Sequence, residues 1–150
     1  MLVVAATGLV VGCGEVDPNQ RFAELNSTNI QRLVTLYGAF QSRNELWGPR
    51  DDAAFKQFVQ GVSPKKLERI GVDASSIDQI FVSGRDGEPF NVRYGVRGAV
   101  KGSNEPVVFE ASGVDGKRMV GFLNATQREV DAAEYERLWE QGAAGANPRT

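Results

Sequence analysis

Phe90-Asn91-Val92-Arg93-Tyr94-Gly95-Val96-Arg97 alternates apolar and polar side chains with a period of two, the signature of a half-buried β-strand. Upstream of it the apolar spacing is helical. Thr28-Asn29-Ile30-Gln31 fits a capping box, and Ile30, Leu33, Val34, Tyr37 and Phe40 follow as one stripe that should end near Arg43-Asn44. Trp47-Gly48-Pro49 is a turn. Asp51 or Asp52 can cap a second helix, with Ala54, Phe55, Phe58 and Val59 facing inward and Gly61 closing it. Ser63-Pro64 then starts a short helix over Lys65 to Ile70, stopped by Gly71.

The period changes at Gln79. Ile80 to Ser83 reads as a strand, Gly84-Arg85-Asp86-Gly87 as a turn into the quoted stretch, and Gly98 to Pro106 as a loop. Val107 to Ser112 and Lys117 to Leu123 are the next strands, joined at Asp115-Gly116, a strong hairpin signal. Thr126-Gln127-Arg128-Glu129 forms a second capping box, expected to open a helix through Val130, Tyr135, Leu138 and Trp139. The expected fold is α+β, with N-terminal helices, a three- to four-stranded antiparallel sheet and a C-terminal helix, as a single domain over residues 28–141 with a frayed tail at 142–150.

Composition narrows function mainly by exclusion. With 41% hydrophobic and 24% charged residues in 150, the chain is of ordinary globular make-up. A formal charge of −2 gives no positive field for a phosphate backbone, so no nucleic-acid partner is expected. There is no histidine. Serine–histidine or cysteine–histidine catalysis within this chain is therefore excluded. No glycine loop stands before a helix as a phosphate cradle would require, and no motif implies a cofactor.

The N-terminus is the most specific region. Leu2 to Gly12 is an apolar run of 11 residues, where a membrane-spanning helix needs roughly 20. Its length fits the apolar part of a secretory signal. It ends at Val10-Val11-Gly12-Cys13, and Cys13 is the chain's one cysteine. This resembles the bacterial lipobox, with an aliphatic residue three before the cysteine and a small residue directly before it. The resemblance implies cleavage after Gly12, lipid on the Cys13 thiol and attachment to an envelope membrane, with residues 1–12 as signal peptide and 13–27 as a polar tether. Gly14 in place of aspartate favours the periplasmic face of the outer membrane under the proteobacterial sorting rule. No basic residue precedes Arg21, whereas a signal peptide opens with Lys or Arg, so the true start is expected upstream of Met1.

Within the domain, Arg93 and Arg97 share a strand face that could form an anion-binding patch with Arg118 on a neighbouring strand. Such alternation is routine on a half-solvated antiparallel sheet. Trp47, in its loop, is a candidate contact residue, while Tyr37 and Phe40 belong to the core stripe. Asp86, Glu88, Glu110 and Asp115 lie at or near turns and could offer oxygen ligands to calcium, with Asp86 and Asp115 the candidates. Their spacing matches no calcium loop, and aspartate before glycine is explained by local turn bonding.

The order of elements, with Trp47-Gly48-Pro49, Gly84 to Phe90 and Ser112 to Lys117 as its motifs, resembles the soluble half of type II secretion pseudopilins over residues 29–117. That resemblance implies a pilin-like scaffold. The lipobox replaces the prepilin cleavage site and long apolar helix of that family, so neither filament assembly nor its calcium ligands carry over. The expectation is a non-enzymatic envelope lipoprotein that meets a protein of the secretion or surface apparatus. The alternatives are a small-ligand or glycan-binding lipoprotein, which requires a concave polar pocket, and a histidine-free hydrolase, which requires two carboxylates facing across a cleft.

Overall fold

The computed structural model describes residues 17–98 and 103–143. The apolar run, Gly12, Cys13 and the tail from residue 144 lie outside the described residues.

Capping chemistry sets the helical half. Thr28 accepts from the Gln31 backbone N–H at 3.3 Å and starts α2 (Asn29–Arg43). Asp51 accepts from the Ala54 N–H at 2.7 Å and starts α3 (Asp52–Gln60). Pro64 opens α4 (Pro64–Arg69), and Gly71, at φ 74°, follows it. A further helix, α1 (Pro18–Glu24), lies inside the stretch read as a tether. Asp17 caps it from before a proline, which is good helix-start chemistry as well as turn chemistry.

Two expected elements change type. Residues 80–83 are not a strand. A 3₁₀ helix runs over Ala74–Phe81, and only Val82 bridges outward, to Pro89. Ile77, Ile80 and Phe81 are spaced for a helical face, and a short apolar run does not separate helix from strand by period alone. Thr126-Gln127-Arg128-Glu129 is also not a helix start. Asn124 takes the Thr126 N–H and hydroxyl, and Gln127–Val130 is strand β4. The helix start lies five residues later, where Asp131 accepts from the Glu134 N–H at 2.9 Å and opens α5 (Ala132–Ala143).

The sheet is an antiparallel meander in the order β1 (Asn91–Val92), β2 (Pro106–Phe109), β3 (Arg118–Phe122) and β4. The fold is thus α+β, with several helices, four antiparallel strands and a C-terminal helix. The β2–β3 hairpin turns at Asp115 and Gly116, at φ 52° and 74°, as the Asp-Gly pair requires.

The sheet is covered on both faces. Ile30, Leu33, Val34 and Tyr37 of α2 pack inside with Phe55, Val59 and Leu67, while Tyr135 and Leu138 of α5 lie against Phe109, Val120 and Phe122 on the other side. All four residues of β2 are consequently buried. Strand β1 keeps only two residues in the sheet. The rest of the alternating stretch turns toward the Trp47 loop, where Gly48 N–H donates to Val96 at 2.8 Å. Tyr37 fixes that junction, its hydroxyl donating to the Arg93 carbonyl at 2.8 Å. A Cβ at Gly48 would overlap this hydroxyl.

Candidate functional site: a buried carboxylate beside a polar cavity

Glu110 follows directly on the buried run Val107-Val108-Phe109 and is itself only 1% exposed. A carboxylate in that position must be satisfied from within. Its Oε1 accepts from the Ser83 hydroxyl at 2.8 Å and its Oε2 from the Met119 backbone N–H at 2.7 Å. Arg85 Nη1 stands 3.5 Å from Oε2, and Arg85 Nη2 is 2.6 Å from Glu129 on β4. The Glu110 carbonyl accepts from the Tyr135 hydroxyl at 2.7 Å. One residue therefore joins the 83–86 turn, the β2–β3 hairpin and α5.

Beside this cluster is a cavity of about 320 Å³ at the start of α2, lined by Thr28, Asn29, Arg85, Phe90, Glu110 and Gln127 among others. Thr28 reaches across it to Gln127 at 2.9 Å. Asn29 donates to the carbonyls of Gln79 and Val82 at 3.0 and 2.9 Å, tying helix to turn. The walls combine an apolar side, from Ile30, Phe90 and Met119, with convergent amide, hydroxyl, guanidinium and carboxylate groups. Glu110 and Glu129 hold the same Arg85 guanidinium from two sides, which fixes its orientation at the cavity wall.

The residues singled out from sequence are placed apart. Arg93 is 6% exposed and is not on an open face: the sheet was expected to be solvated on one side, and α5 covers that side. Arg93 donates to the carbonyls of Pro106 and Leu138, both at 3.0 Å, and to that of Trp139. Its guanidinium lies 5.1 Å from the ring centres of both Phe109 and Trp139. Arg118 stacks 4.5 Å over Tyr135 and bonds Ser112. Arg97 stacks 5.6 Å over Trp47, to which it is bridged. Trp47 and Arg97 are thus brought together, while Arg93 and Arg118 each serve a separate aromatic contact around α5.

Asp86 joins two turns. Its Oδ1 accepts from Glu88 N–H at 3.0 Å and its Oδ2 from Ser112 and Gly113 N–H at 3.1 and 2.7 Å. Asp115 holds the left-handed position of the hairpin. Among the described residues no group of three or more Asp, Glu, Cys or His side chains could hold a metal. Partial burial pushes the Asp86 carboxyl up, but those backbone N–H groups outweigh it and hold its pKa below the usual value. A carboxyl with a depressed folded-state pKa adds stability above its unfolded value, near 3.9, which is lost as pH falls through the folded value. Asp86→Asn is expected to cost about 0.5–1 kcal/mol at neutral pH, after allowance for solvent screening. Below about pH 4 the difference from the parent should shrink. A urea titration series across pH checks this, and a constant difference would contradict it.

Glu110, Ser83, Arg85 and Gln127 were not singled out as a group by the sequence. The one usable signal was a charged residue immediately after a run of three apolar β-formers, which in a strand buried on both faces has to be internally paired.

A second concavity, of about 510 Å³, is mainly apolar and is bordered by Phe22 of α1 and Leu25 just after it, Gly38 and Ala39 of α2, Leu46 and Leu123. Leu46 and the preceding Glu45 both hold positive φ, 67° and 52°. Leu46 N–H bonds back to Gln41 at 2.9 Å. No family model matches the chain, and neither a curated protein nor a solved structure matches it.

Proposed function

We propose that this chain is a lipid-anchored envelope lipoprotein that acts by binding, as a non-enzymatic interaction module of the cell envelope. The observation that carries the reading is Val10-Val11-Gly12-Cys13, with the first helix of the folded body beginning five residues after the cysteine, at Pro18. Two or three acyl chains on Cys13 suffice for stable attachment, where one would be marginal. Among the described residues no helix is long and apolar enough to cross a membrane. A protein of the secretion or surface apparatus is the proposed partner, on the strength of the pseudopilin-like motifs, and the periplasmic face of the outer membrane is the proposed location. Cys13→Ala should move the protein out of the membrane fraction or leave the precursor uncut. Unchanged fractionation and unchanged mass of that variant would count against the reading.

The polar cavity at Glu110 favours one second reading, a lipoprotein that holds a small polar or glycan ligand. Its supporting features are a partly open concavity and a few convergent polar groups on its walls.

A further inference from the structure

Helix α1 is a helix without a core of its own. None of its residues is buried, and Phe22 is 40% exposed. A seven-residue helix is marginal by itself. Yet it is fastened at its C-terminal end. Asn26 donates to the Phe22 carbonyl at 2.9 Å and accepts from Thr35 at 2.8 Å, and its own carbonyl takes Arg32 Nε at 3.0 Å. The same Arg32 nitrogen reaches the Ile70 carbonyl at 3.1 Å, directly after α4. Arg32 thereby joins α1 and α4 into one edge.

That edge has a distinct chemistry. The Arg69 guanidinium of α4 lies 6.0 Å from the centre of the Phe22 ring, and Lys65 and Lys66, both exposed, stand one helical turn before it. With Arg21 there are four cations, against the carboxylates of Asp17, Glu24 and Glu68, so the edge is net positive on a chain of formal charge −2. An exposed aromatic ring under an exposed guanidinium, with further exposed basic residues on the same two helices, suits the headgroup layer of an anionic membrane.

Position adds the second argument. Three residues separate Cys13 from Asp17, so lipid carried on Cys13 holds the start of α1 within about 14 Å of the bilayer surface. We infer that the α1–α4 edge is a membrane-docking surface: it lies on anionic phospholipid, with Phe22 at the acyl boundary and Arg21, Lys65, Lys66 and Arg69 among the phosphates. The inference rests on the Cys13 anchor for its geometry.

The test has two independent arms. Lipidated full-length protein is placed in phosphatidylcholine vesicles with and without phosphatidylglycerol, and amide exchange is followed. The α1 and α4 amides should slow by roughly tenfold or more when phosphatidylglycerol is present, and high salt should remove most of this effect. Phe22→Ser combined with Lys65→Glu and Lys66→Glu should abolish it, all three being exposed positions whose change leaves the core intact. Confirmed lipid on Cys13 with unchanged exchange in both helices overturns the docking surface and leaves the anchor standing. So does equal protection in both vesicle types, or protection that appears only with a soluble protein partner. In the second arm the full-length Cys13→Ala chain is sedimented with phosphatidylglycerol vesicles. Weak, salt-sensitive binding that falls about fivefold for each basic residue neutralised, as in Lys65→Gln or Lys66→Gln, supports the surface even if Cys13 carries no lipid. No binding above that to phosphatidylcholine overturns it.

Discussion

Replacing Arg93 with Met is expected to lower the unfolding free energy by about 3–5 kcal/mol. Methionine keeps much of the apolar length of the side chain but removes every donor, and with them the guanidinium that lies 5.1 Å from the ring centres of Phe109 and Trp139. The carbonyls of Pro106, Leu138 and Trp139 would then lose their shared partner in a buried setting. Burial lowers the Arg93 pKa, with an opposing, smaller pull from Tyr37, yet a guanidinium stays charged at any working pH. Arg93→Lys should recover only part of the loss, because a single ammonium cannot span three carbonyls in a planar fork. Urea unfolding followed by near-ultraviolet circular dichroism measures both, Trp139 reporting on the docking of α5. A cost below about 1 kcal/mol for the Met variant would show that the clasp is not what holds α5 to the sheet.

Glu110→Leu should cost about 2–4 kcal/mol, although leucine fills the same space with a better hydrophobe. The Ser83 hydroxyl and the Met119 N–H would be left buried without an acceptor, and Arg85 would keep only Glu129. Glu110→Gln preserves an acceptor for Met119, and Ser83 can rotate to receive the new amide, so its cost should be about 1 kcal/mol. The contrast between the two variants separates hydrogen-bond satisfaction from packing. Equal losses would mean that the carboxylate is merely filling volume. If the cavity beside it binds a small polar molecule, Glu110→Gln is also the variant in which fold is retained while recognition changes.

The division between helical and extended halves was legible because its signals are local. Thr28, Asp51 and Asp115-Gly116 each satisfy backbone groups within four residues, so chain order alone reveals them. The failures share a different cause. Gln127 could have followed a capping threonine into a helix, but hydrogen bonding to β3 claims residues 127–130, and Asp131 performs the capping instead. Ile80 and Phe81 lost their expected strand to a helical turn whose apolar face packs on α2. Arg93 read as a surface residue because its neighbours alternate, and only the docking of α5, about forty residues later in the chain, turns that face inward. Glu110 owes its environment to Ser83, Arg85, Met119 and Tyr135, contacts from a turn, β3 and α5 that no window of sequence contains. Long-range pairing was thus the illegible part, and the candidate site is built almost wholly from it.

The proposed anchor at Cys13 bears most directly on the proposed function, because lipid on that residue would set where the protein is held. The decisive measurement is the intact mass and N-terminal sequence of the protein recovered from the membrane fraction of its native cell. The account predicts a chain that begins at Cys13, heavier than its polypeptide by a diacylglyceryl group, with or without a further acyl chain on the amino terminus. A chain that retains the residues before Cys13 and carries a free, unmodified thiol there would contradict it.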